Sequence, residues 1–169
     1  MPLVFGYGSL NEDATRAAEL PGWRRTWGVA MDNSLDLPGY KHYVDAATGE
    51  RPAVFVAFLD IEPADGESVP GAVFEVTEER LAELDVRERN YARARVTTSA
   101  GPAVAYVGLA EARERRRRGV AEGRCLVPRA YRDDVRAGFE RLTPGGGARF
   151  DATTGPLPGP LADLRRIDH

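Results

Sequence analysis

The unbroken apolar run Ala53-Val54-Phe55-Val56-Ala57-Phe58-Leu59 constrains the fold of this chain more than any other feature. A strand with one face in water alternates polar and apolar residues, whereas a continuous run of this length predicts a strand buried on both faces. Other strands are expected over residues 3–7, 23–31 (with Trp23, Trp27 and Met31 evenly spaced), 69–76, 91–98 and 102–109. Residues 32–49 read as loop and 62–68 as a polar turn. A short polar helix is expected from about Asn11 to Glu19, ended by Pro21-Gly22. A second helix starts at Glu78: Thr77 is a suitable N-cap, and Glu78 and Glu79 lie favourably at the positive end of its dipole. Asn90 is its expected stop. Pro128 opens a third helix that runs to about Leu142, with Tyr131, Val135, Phe139 and Leu142 as its apolar stripe. Many strands with two or three helices predict an α+β domain built on a small closed or nearly closed sheet.

The 169 residues fit one compact domain over 1–142, followed by a glycine- and proline-rich extension, 143–169, expected to pack loosely or stay extended. Net charge is −3 and the pI about 5.5, which argues against nucleic acid as the main partner. Lys41 is the only lysine, read here as a coding bias toward arginine. Arg113 and Arg115 to Arg118 form a basic cluster. It is either an anion-binding patch or, interleaved with Glu111 and Glu114, a solvated helix or loop; no aromatic residue interleaves to stack on bases. The single cysteine, Cys125, excludes an internal disulfide and reads as a buried inert thiol. The N-terminus has no basic region followed by a long apolar run, and no segment is apolar enough to span a bilayer, so a cytoplasmic protein without a membrane partner is expected.

Glu88 is the first candidate for chemistry. It lies four residues beyond Leu84 and on the same helix face as Leu81 and Leu84. A carboxylate facing inward has its pKa raised by desolvation unless a partner offsets it, and so becomes a competent acid/base near neutral pH. The other reading is a glutamate at a fraying helix end, paired with Arg87, Arg93 or Arg95. Glu83 and Asp85 fall on other faces and read as solvated. The turn Gly6-Tyr7-Gly8-Ser9-Leu10 is the second candidate, because glycines at a strand end let backbone N–H groups face a carboxylate or an oxyanion; a plain tight turn is the alternative. It lacks the spacing of a dinucleotide or P-loop motif. With only His42 and His169 as histidines, neither a nucleophilic triad nor a usual zinc site can be assembled.

In chain order, several segments resemble the γ-glutamyl cyclotransferase family (AIG2-like). They are Phe5-Gly6-Tyr7-Gly8-Ser9, Gly22-Trp23-Arg24-Arg25 with Asp32-Asn33-Ser34, Val69-Pro70-Gly71-Ala72-Val73-Phe74, Leu84-Asp85-Val86-Arg87-Glu88, and Pro128-Arg129-Ala130-Tyr131 with Gly138. Leu10 stands where many relatives have Asn, and Arg89-Asn90-Tyr91 follows Glu88 where many have Gly. The resemblance implies a cyclotransferase-like fold, a small mixed β-barrel with flanking helices. It implies Glu88 as catalyst and a substrate site formed by Tyr7, Gly8, Ser9, Leu10 and Tyr131. It also implies release of 5-oxoproline from a small γ-glutamyl substrate, as in glutathione metabolism, without metal or organic cofactor, by a monomer or homodimer. A non-catalytic binding module of the same fold, and a cyclotransferase that deprotects a γ-glutamyl-amine intermediate, are the alternatives. Contacts to the leaving group are expected from variable loops such as residues 36–51.

Overall fold

A computed structural model describes residues 1–9 and 15–169. The apolar run becomes the first part of β4 (Phe55–Glu75), in which residues 55–61 are all buried. Their alternation divides the interior. Ala57, Leu59 and Ile61 face a core with Phe5, Leu20, Trp27, Val127, Val135, Phe139 and Phe150. Val56 and Phe58 face a second core with Val29, Met31, Tyr43, Ala112 and Leu164. A strand covered on both faces reads as continuously apolar for this reason.

Around β4 the described residues form a seven-stranded mixed sheet. β1 (Leu3–Gly6) and β2 (Arg16–Asp32) both run antiparallel to β4. β1 also lies parallel to β6 (Gly101–Gly108), which pairs with β5 (Tyr91–Thr98). On the other side β4 is parallel to β7 (Cys125–Pro128), and β7 to β8 (Leu161–Ala162). The sheet curls until its far members meet: the Ser99 N–H donates to the Glu19 carbonyl at 2.9 Å. β3 (His42–Asp45) pairs with β9 (Leu164–Ile167) in a separate ribbon. The helices are α1 (Glu78–Arg87), α2 (Ala110–Ala121), α3 (Arg129–Leu142) and α4 (Gly146–Thr153), so the described residues hold four where two or three were expected.

Four local expectations are corrected, the first being the loop at 32–49, within which residues 42–45 form β3 by pairing with β9. Residues 16–19, expected as the end of a polar helix, belong to β2: Arg16 to Leu20 pair with Val73 to Val69, and this long-range pairing overrides the local polar composition. Residues 11–14 of that expected helix lie outside the described residues. The polar turn at 62–68 is carried within β4 as a wide bulge, in which Pro21 pairs with Ser68 and Trp23 with Pro63, leaving residues 64–67 opposite Gly22. The tail is well packed: Phe150 of α4 stacks on Phe139 with ring centroids 5.4 Å apart, and β8 and β9 extend both sheets. Its glycines serve close approach, since a Cβ on Gly159 would lie 1.8 Å from the Cys125 carbonyl oxygen. Cys125 is free and buried, as expected.

α1 forms as the sequence predicts. The Thr77 hydroxyl accepts the Arg80 N–H at 3.1 Å, and Leu81 and Leu84 bury against Val4, Phe74, Val76 and Tyr106. The helix closes at Glu88, its C-cap, whose N–H donates to the Leu84 carbonyl. A tight turn then delivers the chain to Tyr91 and β5.

Candidate active site

The C-terminal end of α1, the turn after β1 and the first turn of α3 converge on one side of β4. Gly8 is buried, and a Cβ placed on it would lie 3.3 Å from Leu59 Cδ1 and 3.4 Å from the Tyr131 hydroxyl. The Tyr131 ring meets Phe58 edge-on at 5.3 Å and Trp27 at 6.0 Å. Tyr7 donates its hydroxyl to the Tyr106 carbonyl at 2.5 Å, and Tyr91 donates to the Leu59 carbonyl at 2.7 Å. Ser9 is exposed, and Leu10 lies outside the described residues.

The charge of Glu88 acts on this group of phenols. Burial raises the phenol pKa of Tyr131, and the charge of Glu88 is the next cause. Tyr7 and Tyr91 are likewise held well above the ordinary phenol range, first by burial and further by neighbouring groups that include Glu88. All three therefore keep their protons at neutral pH. The Tyr7 and Tyr91 protons are committed to backbone carbonyls. The Tyr131 proton has no acceptor among the described residues, which leaves it as a donor for a bound group.

The Glu88 side chain is half-buried, at 30% exposure, with Oε1 3.4 Å from Arg87. It sits on the cap residue, so it is less enclosed than the helical spacing predicted. Arg93 does not serve it: that guanidinium pairs with Asp85 at 2.6 Å, while the Tyr106 hydroxyl donates to the other Asp85 oxygen at 2.7 Å. Asp85, expected to be solvated, instead ties the end of α1 to β5 and β6. The arginine cluster is also structural in large part. Arg113 pairs with the buried Asp60 at 2.8 Å, Arg115 donates to the Ala30 carbonyl and to Asn90, and Arg116 to the Trp27 carbonyl. Two open depressions of about 490 and 630 Å³ lie elsewhere, one along α3 and one beside Trp23 and Arg95. Neither contains Glu88, Gly8 or Tyr131.

The family described as gamma-glutamyl cyclotransferase, AIG2-like, matches residues 4–124. The chain belongs to this family. Its fold is similar to that of a solved gamma-glutamyl cyclotransferase, at 14% identity and TM-score 0.52, covering 96% of this chain and 94% of the other. An uncharacterized protein, loc79017, from Homo sapiens is similar at 14% identity and TM-score 0.54, with 95% and 93% covered. YkqA from Bacillus subtilis is similar at 15% identity and TM-score 0.58, over 89% of this chain and 53% of that one. Comparison with curated proteins gave no match. Among the described residues, no helix is long and apolar enough to cross a membrane.

Two residues of this family member escaped the sequence reading. Arg25 is fully buried against the stacked rings of Phe139 and Phe150, 4.8 and 4.9 Å from their centroids. It donates to the Tyr7 carbonyl at 2.7 Å, to the Pro70 carbonyl, and to the hydroxyls of Thr153 and Thr154 at 3.1 and 3.2 Å. Burial lowers its pKa to about 9, so it remains charged at neutral pH. The signal was present, since Arg25 falls midway between Trp23 and Trp27, on their face of the strand. Lys41 is the second. Its ammonium lies 4.1 Å from the Phe58 ring centroid, with Tyr40 and Tyr43 beside it. Its singularity in an arginine-rich chain was the available signal.

Proposed function

We propose that this protein is a γ-glutamyl cyclotransferase in which Glu88 carries protons between the attacking and departing nitrogens. The α-amine of a γ-glutamyl group attacks its own γ-carbonyl, the new C–N bond closes 5-oxoproline, and the bond to the departing amine breaks. Nucleophile and electrophile belong to one molecule, so holding the chain curled supplies much of the acceleration. The substrate ammonium sheds one proton to become nucleophilic and a second once the ring bond forms. The departing nitrogen takes one to leave as a neutral amine and another from water. A single carboxylate between the two nitrogens serves as base and then as acid, worth roughly 10²- to 10⁴-fold. Tyr131 and the N–H groups of the Gly8–Ser9 turn are the donors for the developing oxyanion or for the α-carboxylate. The reaction needs neither a metal nor an organic cofactor.

The observation that carries this reading is the Tyr131 hydroxyl set beside the Gly8 turn within the influence of Glu88's charge, in a chain of this family. The test is 5-oxoproline release from a panel of glutathione, γ-glutamyl amino acids and γ-glutamyl amines. Wild-type protein is expected to release it and Glu88→Gln to lose release while keeping its fold. An active Glu88→Gln protein would refute the assignment.

A further inference from the structure

Lys41 is the sole lysine among 23 basic side chains. It stands at the end of the segment that follows β2, and that segment is fixed on all sides. The Asn33 amide donates to the Tyr43 and Pro52 carbonyls at 3.0 and 2.9 Å, and its oxygen accepts the Tyr43 N–H at 2.8 Å. Asn90, two residues past Glu88, donates to the Tyr40 hydroxyl at 3.0 Å, and Arg89 donates to the Pro38 carbonyl at 3.2 Å. Lys41 is thus clamped between two anchored tyrosines and projects over Phe58.

Its ammonium has no ion-pair or hydrogen-bond partner among the described residues, whereas most arginines of the chain have one. The charges of Glu88 and Asp168 act on it only from beyond ion-pair range. Among the described residues every fully buried side-chain nitrogen and oxygen has a partner, so the Lys41 nitrogen is not sealed from solvent. Aromatic faces stabilise a cation while leaving its N–H donors free. An immobilised, partly desolvated ammonium with free donors is a receptor for an anion.

Position decides which anion. The Gly8 turn lies beside the Tyr131 hydroxyl, Tyr131 packs edge-on against Phe58, and Lys41 lies over Phe58, so one aromatic ring links the ammonium to the turn and the phenol. A γ-glutamyl amino acid also carries a carboxylate at each end, one on the ring-forming glutamyl half and one on the departing half. Resting on the function proposed above, we propose that Lys41 binds the carboxylate of the departing amine. The substrates of this protein are then γ-glutamyl amino acids and peptides in preference to γ-glutamyl amines.

The test compares kcat/KM for γ-glutamyl-alanine and γ-glutamyl-alaninamide, which differ only in that carboxylate. Wild type is expected to favour the acid by about 10- to 100-fold, the worth of one charge-assisted contact. Lys41→Met is expected to collapse this preference to within about threefold, almost wholly through loss of turnover of the acid. Lys41→Glu is expected to favour a departing amine that bears a second ammonium, such as a γ-glutamyl diamine. Equal wild-type turnover of acid and amide overturns this inference and leaves the proposed function standing. Equal losses on both substrates in Lys41→Met overturn it too, assigning Lys41 to the glutamyl carboxylate. Release of 5-oxoproline from neither substrate overturns this inference, and the function proposed above falls as well when the whole panel is silent. Should Lys41→Met fail to fold, the wild-type ratio and Lys41→Glu decide.

Discussion

Replacing Arg25 with methionine should disable the site while leaving the fold largely intact. Holding this guanidinium charged in the interior is costly: the fall from its ordinary 12.5 to about 9 corresponds to about 5 kcal/mol, which the substitution relieves. Against this, the Tyr7 and Pro70 carbonyls lose their donor, at about 1–3 kcal/mol each. The threonine hydroxyls suffer less, because each still donates to a helix carbonyl. The cation–π contacts with Phe139 and Phe150 are lost, and methionine sulfur recovers part of them. The opposed sums nearly cancel, so the net change lies within about 3 kcal/mol of zero, or within about 12 °C in Tm for a chain of this size. Activity is a different matter. The freed Tyr7 carbonyl belongs to the turn that carries Gly8 and Ser9, and a displacement near 1 Å in a positioning element costs on the order of 10²-fold. Thermal unfolding and 5-oxoproline release should therefore diverge, with kcat/KM down more than tenfold in a folded protein. Phe150→Leu is the control. It destabilises the other side of the guanidinium but leaves the Arg25–Tyr7 bond, so its kcat/KM should stay within about threefold of wild type. Arg25→Lys should restore only part of the activity, since an ammonium cannot reproduce the planar fork that reaches both carbonyls. A folded Arg25→Met protein with wild-type kcat/KM would refute the positioning role.

Tyr131→Phe keeps the ring against Trp27 and Phe58 and removes the hydroxyl alone, so Tm should move little while kcat/KM falls at least tenfold; unchanged kinetics would show that the ring belongs only to the core. The ratio of turnover for γ-glutamyl-alanine over its amide should fall as pH rises through about 8, to which burial, helped by Arg166 and Arg87 and opposed by Glu88 and Asp168, lowers Lys41. Both substrates share the α-amine and the ring-closing chemistry, so their common pH dependence cancels in the ratio, and a flat ratio from pH 6 to pH 10 would count against Lys41. Asp85 is held below the usual carboxylate range, chiefly by the Tyr106 hydroxyl and also by Arg93. A depressed carboxylate contributes stability that is present above its unfolded pKa and lost as pH falls through the folded one. Asp85→Asn should therefore lower Tm at pH 7 and narrow the Tm difference between pH 7 and pH 3; an unaltered difference would show that the pair adds nothing.

Local signals made the framework legible and long-range contacts hid the rest. The run at 53–59 announced β4 because burial on both faces removes the polar alternation, and Thr77 with Glu78 and Glu79 announced the start of α1. Residues 16–20 carry no such mark; only pairing with residues 69–73 makes them a strand. Glycine and proline after residue 142 suggested loose chain, yet Gly159 is required by the nearness of Cys125, and Phe150 is a core residue. Within the site, Glu88 was reachable from its spacing to Leu84, but a residue that caps a helix departs from the helical face, which is why it is half-buried rather than enclosed. Arg25 was obscured by its charge although its strand position matched Trp27. Lys41 was obscured by composition, since one lysine among many arginines reads as codon bias until the structure sets it on an aromatic face.

The two ends of the site are braced by different parts of the chain. At the glutamyl end, β2 reaches the Tyr7 carbonyl through Arg25, and α3, α4 and the Thr153–Thr154 hydroxyls hold that guanidinium in place. The tail, outside the stretch that matches the family, is therefore mechanically joined to the turn that faces Glu88. At the departing-amine end the braces are Asn33, Asn90 and Arg115, polar side chains that tie one surface segment to the end of α1 and to α2. Ring closure is the same for every γ-glutamyl substrate, so the first set of contacts serves a fixed geometry and tolerates little change. The departing amine varies, and its segment hangs from the buried amides of Asn33 and Asn90, so the exposed positions between these anchors are the ones free to change. Under the function proposed above, selectivity changes through residues 34–41 while Glu88, Tyr131 and the Gly8 turn remain as they are.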